Sequence, residues 1–401
     1  MFDPRSVQFT GPIAVHIEGL WSALLRQGYA PGSAMVRLRH AAHLSHWLAD
    51  QQLAVRDLDD ERVRAFVKHR RRRGYRDVSS PRSLVAILTY LRSVGAIRPE
   101  KPVPPATPLA RLVAEYRTYL SEQRSLLPST IATYAGLAER FTAARFRAGS
   151  LRWDRLSATD LHRFIVQTRS KTMSSRRLEV TALRSWLRFL FATKRLHRDL
   201  ASGVPAVAGW RLAWLPKPLT SEQVERLLAL HDPTTPSGQR AAAIVRLLLR
   251  LGLRVGDVAG LQLDDIDWRA GEITVSGKTA QVTRLPLPPD VGRALALYLR
   301  QGRPKVEARH VFIREHAPHI GLCRAGVLGT VIKALRRVGV ATGGAHVLRQ
   351  TAATQMLRHG SSLAEVAHVL RHRSVDTTAI YTKVDRDALR TLCRRWPGGA
   401  A

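Results

Sequence analysis

The stretch LGLRVGDVAGLQLDDIDW occupies residues 251–268 and is the first of four stretches that decide the fold of this chain. Three more follow in order: GKTAQVTRLPLP (277–288), AHVLRQTAATQML (345–357) and HVLRHRSVDTTAIYTKV (368–384). Each is a weak signal alone, because a pattern such as HxxR is frequent by chance. Their order and spacing within one segment are much more specific.

A single hairpin interrupts the helical pattern of this segment. The runs EITVSG (272–277) and VTRLPLP (282–288) carry β-branched residues and flank the turn KTAQ, which is typical of two antiparallel strands. Helix starts are marked by capping signals. Thr220 with Gln223, and Ser157 with Asp160, have the spacing at which the side chain of each residue reaches the other's backbone amide.

Two linkers divide the chain. KPVPPATP (101–108) is rich in proline, which disfavours a continuing helix, and WRLAWLPKPLT (210–220) carries two more prolines. The linkers predict three domains, at residues 1–100, 109–209 and 219–395.

The first two domains show a weak repeat. Leu58 corresponds to Leu156 with a separation of 98 residues, and Tyr90 corresponds to Trp186 with a separation of 96. Both segments have the apolar spacing of helices. Two hypotheses stay open here: a true duplication, or two helical bundles that resemble each other by composition.

The overall charge is strongly positive. The 401 residues contain 64 Lys and Arg against 31 Asp and Glu, a formal net charge of +33, and 45% are hydrophobic. Such a charge on a chain able to build packed cores favours a polyanionic partner, and double-stranded DNA is the first candidate. The two cysteines, Cys323 and Cys393, exclude a disulfide scaffold and a cysteine-rich zinc module. With no signal peptide or membrane span in the pattern, we expect a cytoplasmic, nucleoid-associated protein.

The densest cationic run is KHRRRRGY (68–75). A solvated helix end is one interpretation, and a patch that contacts DNA phosphates is the other, which the net charge favours. Phosphate contacts position a protein without specifying a sequence. The candidate DNA-binding residues are Lys68, Arg70, Arg71, Arg72 and Arg73.

Together, the four stretches resemble the tyrosine recombinase, or phage integrase, family, in the form linked to integrative elements or transposons. The resemblance covers 219–395 nearly end to end and extends loosely to 109–209, which looks like the family's helical core-binding (SAM-like) domain. It implies a mainly α fold with a small β-hairpin or sheet in the catalytic domain (α+β), arranged as a multidomain C-shaped clamp on DNA. Residues 1–100 lie outside the common pattern and are expected to form an additional helical DNA-binding arm.

Motif by motif, the resemblance also implies a set of catalytic residues. Tyr381 is the nucleophile, His372 precedes it by the family's nine residues, and Asp257 supports the first arginine. The implied catalytic residues are Arg254, Lys278, His346, Arg349, His372 and Tyr381. Two departures from the family pattern stand out. Arg371 replaces a usual glycine, which predicts a different local turn, and Asp257 replaces the commoner, longer glutamate.

Elementary chemistry agrees with this set. His346 and Arg349 are three residues apart, so on a helix they share one face. Two arginines can bind the non-bridging oxygens of a phosphodiester, where the transition state gathers negative charge. A phenol with a pKa of about 10 is a poor nucleophile until nearby cations lower that pKa. No metal or cofactor is required, since the arginines and a lysine supply the positive charge. Taken singly, the alternatives are an ordinary surface arginine, a turn lysine and a core tyrosine.

These observations predict a site-specific DNA recombinase of the integrase or transposase type. It would act through a 3′-phosphotyrosine and a Holliday junction, as a homotetramer on two sites or in a hetero-assembly with sister recombinases. Type IB topoisomerase-like activity and telomere-resolvase activity are alternatives with the same chemistry. A non-catalytic DNA-binding helper subunit is the alternative from another class.

Overall fold

The protein is described here from a computed structural model. The described residues are 8–75, 78, 80–97, 107–146, 151–167, 173–207, 218–276, 282–341 and 343–371. The chain divides into two compact units, one formed by Met1–Pro99 with Trp214–Ala401 and the other by Glu100–Ala213. The predicted fold class, mainly helical with a small antiparallel sheet, is confirmed.

The N-terminal part of the first unit is a helical bundle with its own apolar core. Asp59 starts α3 (Asp60–Arg72), because its carboxylate accepts the backbone N–H of Arg62 at 2.8 Å. Trp47 packs on Phe66 with ring centroids 5.7 Å apart. The helices of this bundle are α1 (Ile17–Arg26), α2 (Pro31–Asp50), α3 (Asp60–Arg72) and α4 (Val85–Ser93).

The second unit is a bundle around Trp186, which is fully buried. Tyr116 donates its hydroxyl to Ser185 Oγ at 2.8 Å and so fixes one helix against another. The predicted capping signal at Ser157 is confirmed: its N–H donates to the Asp160 carboxylate at 3.1 Å. The helices are α5 (Pro108–Glu122), α6 (Pro128–Arg145), α7 (Ala158–Gln167) and α8 (Met173–Ala192).

The middle elements of the two bundles follow one order at a nearly constant offset, whereas α1 and α5 start 91 residues apart and α4 and α8 start 88 apart. α2 and α6 each begin with a proline, Pro31 and Pro128, 97 residues apart. Each bundle then has a short 3₁₀ turn, at Val55–Asp57 and Trp153–Arg155, 98 residues apart. The next helices, α3 and α7, also start 98 residues apart. This constancy supports the duplication hypothesis over a likeness of composition alone.

The C-terminal part of the first unit surrounds α10 (Pro236–Arg250), which contributes six buried residues to the apolar core: Ala243, Ile244, Val245, Leu247, Leu248 and Leu249. The predicted capping box is confirmed, with Gln223 N–H donating to Thr220 Oγ1 at 3.2 Å and Thr220 N–H to Gln223 Oε1 at 3.1 Å. None of the helices within the described ranges has both the length and the apolar character needed to cross a membrane. The helices here are α9 (Ser221–Ala229), α10 (Pro236–Arg250), α11 (Val255–Gly260), α12 (Pro289–Leu297), α13 (Arg324–Arg337), α14 (His346–Arg358) and α15 (Leu363–Val369).

The predicted hairpin is confirmed and belongs to a three-stranded sheet. β2 (Glu272–Ser276) pairs antiparallel with β3 (Val282–Pro286), with Ile273 opposite Leu285. A further strand, β1 (Ile266–Asp267), pairs with β2 on its other side and was not predicted. Two residues are too few to show the alternation that identifies a strand in a sequence.

Candidate active site

Arg254 lies immediately before α11, at the start of the helix. Its backbone N–H donates to the Asp257 carboxylate at 2.9 Å, and the Asp257 N–H donates back to the Arg254 carbonyl at 2.9 Å. A carboxylate in the first turn is favourable, because the exposed N–H groups make this end of a helix positive. Asp257 therefore fixes the backbone that carries Arg254, in addition to any effect on its side chain.

Arg349 joins three segments of the site. It lies on the first turn of α14 and is 4% exposed. Its guanidinium donates from Nη1 to the carbonyl of Gly252 at 2.5 Å and from Nη2 to the carbonyl of Leu370. These bonds tie α14 to the segment before Arg254 and to the end of α15.

Gly252 makes this close approach possible. Its φ is +59°, in the left-handed region that favours glycine. A Cβ at this position would lie 2.4 Å from Cδ2 of Leu370, well inside van der Waals contact. Any larger residue would strain the backbone and force the buried Leu370 side chain to move.

His346 begins α14, three residues before Arg349, so the predicted shared helix face is confirmed. Part of its ring is exposed, yet the surrounding protein desolvates the imidazole and lowers its pKa below the ordinary 6.5. The guanidinium groups of Arg349 and Arg254 lower this pKa further. The lowered pKa favours the neutral imidazole, which is the form that can accept a proton.

Arg371 also reaches this site. Its φ is +53°, so the backbone has the left-handed conformation that a glycine would adopt. Its carbonyl accepts a hydrogen bond from Arg254 Nη2 at 2.9 Å, and its own Nη2 pairs with the Asp257 carboxylate. Sequence reasoning identified Arg371 only as a departure from a motif and missed this contact.

The predicted site residues thus fall into three groups. Arg254, Asp257, His346 and Arg349 lie together. Lys278, His372 and Tyr381 lie outside the described residues. The cationic run lies on and just after α3 in the N-terminal bundle.

Within that run the cations are not equivalent. Lys68, Arg71, Arg72 and Arg73 are exposed, whereas Arg70 is 7% exposed. The Arg70 guanidinium lies 3.7 Å from the ring centroid of Tyr75, a cation–π contact. Arg70 therefore packs inside the bundle end, and the other four present their charge to solvent.

Two guanidinium groups beside a neutral imidazole can bind an anion and accept a proton from the group that reacts with it. Guanidinium forks bind phosphate oxygens through paired N–H donors. A neutral histidine at this position can act as a general base. Across the described ranges, no three His, Cys, Asp or Glu side chains are grouped so as to hold a metal ion.

Fold and site together define a class: a mainly helical protein in which two arginines and a histidine lie together. Residues 217–387 match the model of the phage integrase family. The putative integrase/recombinase y4rA of Sinorhizobium fredii (strain NBRC 101917 / NGR234) is 39% identical over 398 residues, covering 97% of this chain and 96% of the relative. The tyrosine recombinase XerC of Bacillus pumilus (strain SAFR-032) is 29% identical over 298 residues, covering 70% of this chain and 94% of the relative. The chain belongs to the phage integrase family of tyrosine recombinases.

Solved structures agree on the fold. The XerH site-specific recombinase, crystallised with its palindromic difH substrate in a post-cleavage complex, has a TM-score of 0.57 and 19% sequence identity. The match covers 70% of this chain and 83% of that chain. At this identity the likeness concerns the fold alone.

Proposed function

We propose that this chain is a site-specific DNA recombinase of the integrase or transposase type, which cleaves and rejoins duplex DNA through a covalent tyrosine intermediate. The observation that carries the proposal is the convergence of Arg254, His346 and Arg349 in a member of this family. Two cations and a neutral base are what a phosphodiester needs for attack by a phenol.

The proposed chemistry balances without a metal. The Tyr381 oxygen bonds to the scissile phosphorus while its proton passes to His346. The bond from phosphorus to the 5′-oxygen breaks, and Lys278 gives that oxygen a proton. A 3′-phosphotyrosine and a free 5′-hydroxyl remain, which preserves the energy of the phosphodiester for rejoining. Arg254 and Arg349 hold the non-bridging oxygens. His372 is the sixth of the implied catalytic residues.

Strand exchange follows when a 5′-hydroxyl from a second duplex attacks the phosphotyrosine. Two rounds of exchange, separated by a Holliday junction, would recombine two sites within a tetramer or a hetero-assembly with sister recombinases. In this scheme residues 219–395 carry the chemistry, 109–209 form the core-binding domain, and 1–100 add a second helical DNA-binding domain. The element order shared by the two bundles supports a common role for them.

Covalent trapping on a nicked duplex tests this function. The nick lets the short product diffuse away, so cleavage cannot reverse and the adduct accumulates. Duplexes would be taken from the DNA flanking the coding sequence and incubated with the protein in EDTA. We expect a protein–DNA adduct on a denaturing gel; tight binding of these duplexes without any adduct would contradict the proposal.

The lowered pKa of His346 predicts how the cleavage rate depends on pH under acidic conditions. Because neutral His346 is the proton acceptor, the cleavage rate at subsaturating DNA, which reports the DNA-free protein, should fall only when the pH drops through its pKa, below 6.5. Folding stability should fall over the same range on acidification, since the unfolded histidine binds the proton more readily. Single-turnover cleavage from about pH 5 to about pH 8 measures this fall in rate. The pH-dependent fall in rate should vanish in His346→Gln and persist in His359→Gln, an exposed control on the same chain segment. A midpoint above 6.5 would reject His346 as the proton acceptor.

The exposed cations on and after α3 predict a salt effect. Replacing Lys68, Arg71, Arg72 and Arg73 with glutamine should reduce the slope of log affinity against log salt, by up to about 0.9 for each DNA phosphate that these cations neutralise. Filter binding to duplex DNA over a range of salt concentrations gives the slope. Arg70→Gln is the matched control, because its buried side chain should affect stability and not the slope. An unchanged slope in the quadruple variant would exclude these residues from the DNA surface.

A further inference from the structure

Arg371 has three features that are costly for folding. It is a non-glycine residue at a φ of +53°, where its Cβ crowds the backbone. Its side chain is 7% exposed and forms an ion pair with Asp257, which is 8% exposed, so both charges leave water. Its Nε and Nη1 atoms are buried, and neither has a hydrogen-bond partner among the described residues. Buried donors without partners and desolvated ion pairs are poor sources of stability.

This arrangement fixes both the backbone and the guanidinium of Arg254. The Arg371 carbonyl accepts Arg254 Nη2, while the Arg371 side chain holds the Asp257 carboxylate, which in turn accepts the Arg254 backbone N–H. Arg371, 117 positions away, therefore holds the Arg254 guanidinium directly and its backbone indirectly, through Asp257. A guanidinium with one nitrogen anchored in this way loses rotational freedom before an anion arrives, and its remaining donors point in a fixed direction.

We propose that Arg371 is a positioning residue, which orients Arg254 for the scissile phosphate through its carbonyl and through its ion pair with Asp257. The proposal deepens the recombinase function and rests on it for its catalytic readout. It also links the two departures from the family pattern: the unusual arginine and the shortened acid are partners in one buried pair.

Arg371→Gly tests the side chain alone, because it removes the guanidinium and keeps the backbone carbonyl. Glycine adopts a φ of +53° without strain, which offsets part of the cost of leaving the buried Asp257 carboxylate without its ion-pair partner, so we expect this variant to fold with reduced stability. We expect single-turnover cleavage to slow by roughly 10- to 100-fold, as when a catalytic group is misplaced by about an ångström. Duplex affinity should stay near wild type, because many other cations contribute to it. Arg309→Ala, which removes an exposed ion pair with Asp264, is the matched control and should cleave at the wild-type rate.

A neutral substrate distinguishes positioning from general damage. A methylphosphonate at the scissile position lacks the negative charge that Arg254 would bind. If Arg371 acts through Arg254, the deficit of Arg371→Gly should largely disappear on this substrate. An equal deficit on both substrates, or a wild-type rate on the normal phosphate, would overturn the proposal.

A readout without catalysis keeps this proposal separate from the recombinase function. Phenylglyoxal modifies arginine side chains, and peptide mass spectrometry measures the rate at Arg254. Arg371→Gly keeps the backbone carbonyl but removes the ion pair that holds Asp257, so the start of α11 that carries Arg254 becomes less constrained and modification of Arg254 should be several-fold faster than in wild type and Arg309→Ala. Faster modification in a protein that never cleaves DNA would refute the function and support the positioning role. Unchanged modification of Arg254 would overturn the positioning role even in an active recombinase.

Discussion

Tyr381→Phe is expected to eliminate the covalent protein–DNA adduct while leaving duplex binding intact. The substitution removes a single oxygen, which in the proposed chemistry is the atom that bonds to phosphorus. A phenyl ring cannot form that bond, and water in its place gives no covalent intermediate. Adduct formation on nicked duplexes and affinity for the same duplexes are the two measurements.

The control for this prediction is Tyr134→Phe, a half-buried tyrosine on α6 in the other unit. It should form adduct as the wild type does. An adduct from Tyr381→Phe at the wild-type level would show that another residue attacks the phosphate. Loss of DNA binding together with the adduct would show that Tyr381 serves structure or affinity.

Arg349→Ala is expected to lower both the cleavage rate and the free energy of unfolding. The buried guanidinium satisfies the carbonyls of Gly252 and Leu370, and each would lose its partner at a cost of about 1–3 kcal/mol. Cleavage should fall by roughly 10²- to 10³-fold, as when one donor to a developing oxyanion is removed. Urea unfolding and single-turnover cleavage measure the two effects.

Arg254→Ala provides the comparison for Arg349→Ala. Its guanidinium is half-buried and, within the part of the chain that the structure describes, donates to one backbone carbonyl, that of Arg371, so its removal should cost less stability. Its effect on cleavage should be as large, since both arginines bind the same phosphate in the proposed chemistry. If Arg349→Ala unfolds at the urea concentration of wild type, the two carbonyl contacts do not hold the site together.

The sequence predicts local features of this fold well. The hairpin at 272–288 and the capping pair Thr220–Gln223 depend on neighbours within a few residues, so their patterns are complete in the sequence. The order of Arg254, His346 and Arg349 also predicts that these three residues lie together, because a family motif encodes long-range geometry that spacing alone does not. The fold class and the family follow from these signals and are confirmed.

Long-range contacts explain what the sequence does not predict. Arg371 and Asp257 are 114 residues apart, and no local pattern indicates that one pairs with the other. In the same way, Arg70 and its four exposed neighbours look equivalent in a run of cations. Only helix geometry and the position of Tyr75 separate the buried cation from the exposed ones.

The most direct test of the central claim is to identify the residue that becomes attached to DNA. The trapped adduct would be digested with nuclease and trypsin, and the peptides analysed by mass spectrometry. Cleavage after Arg373 and Lys383 gives SVDTTAIYTK (374–383), which has one tyrosine, Tyr381. The account predicts a nucleotide phosphate on Tyr381 in this peptide. A nucleotide on any other peptide, or on a serine or threonine of this one, would contradict it.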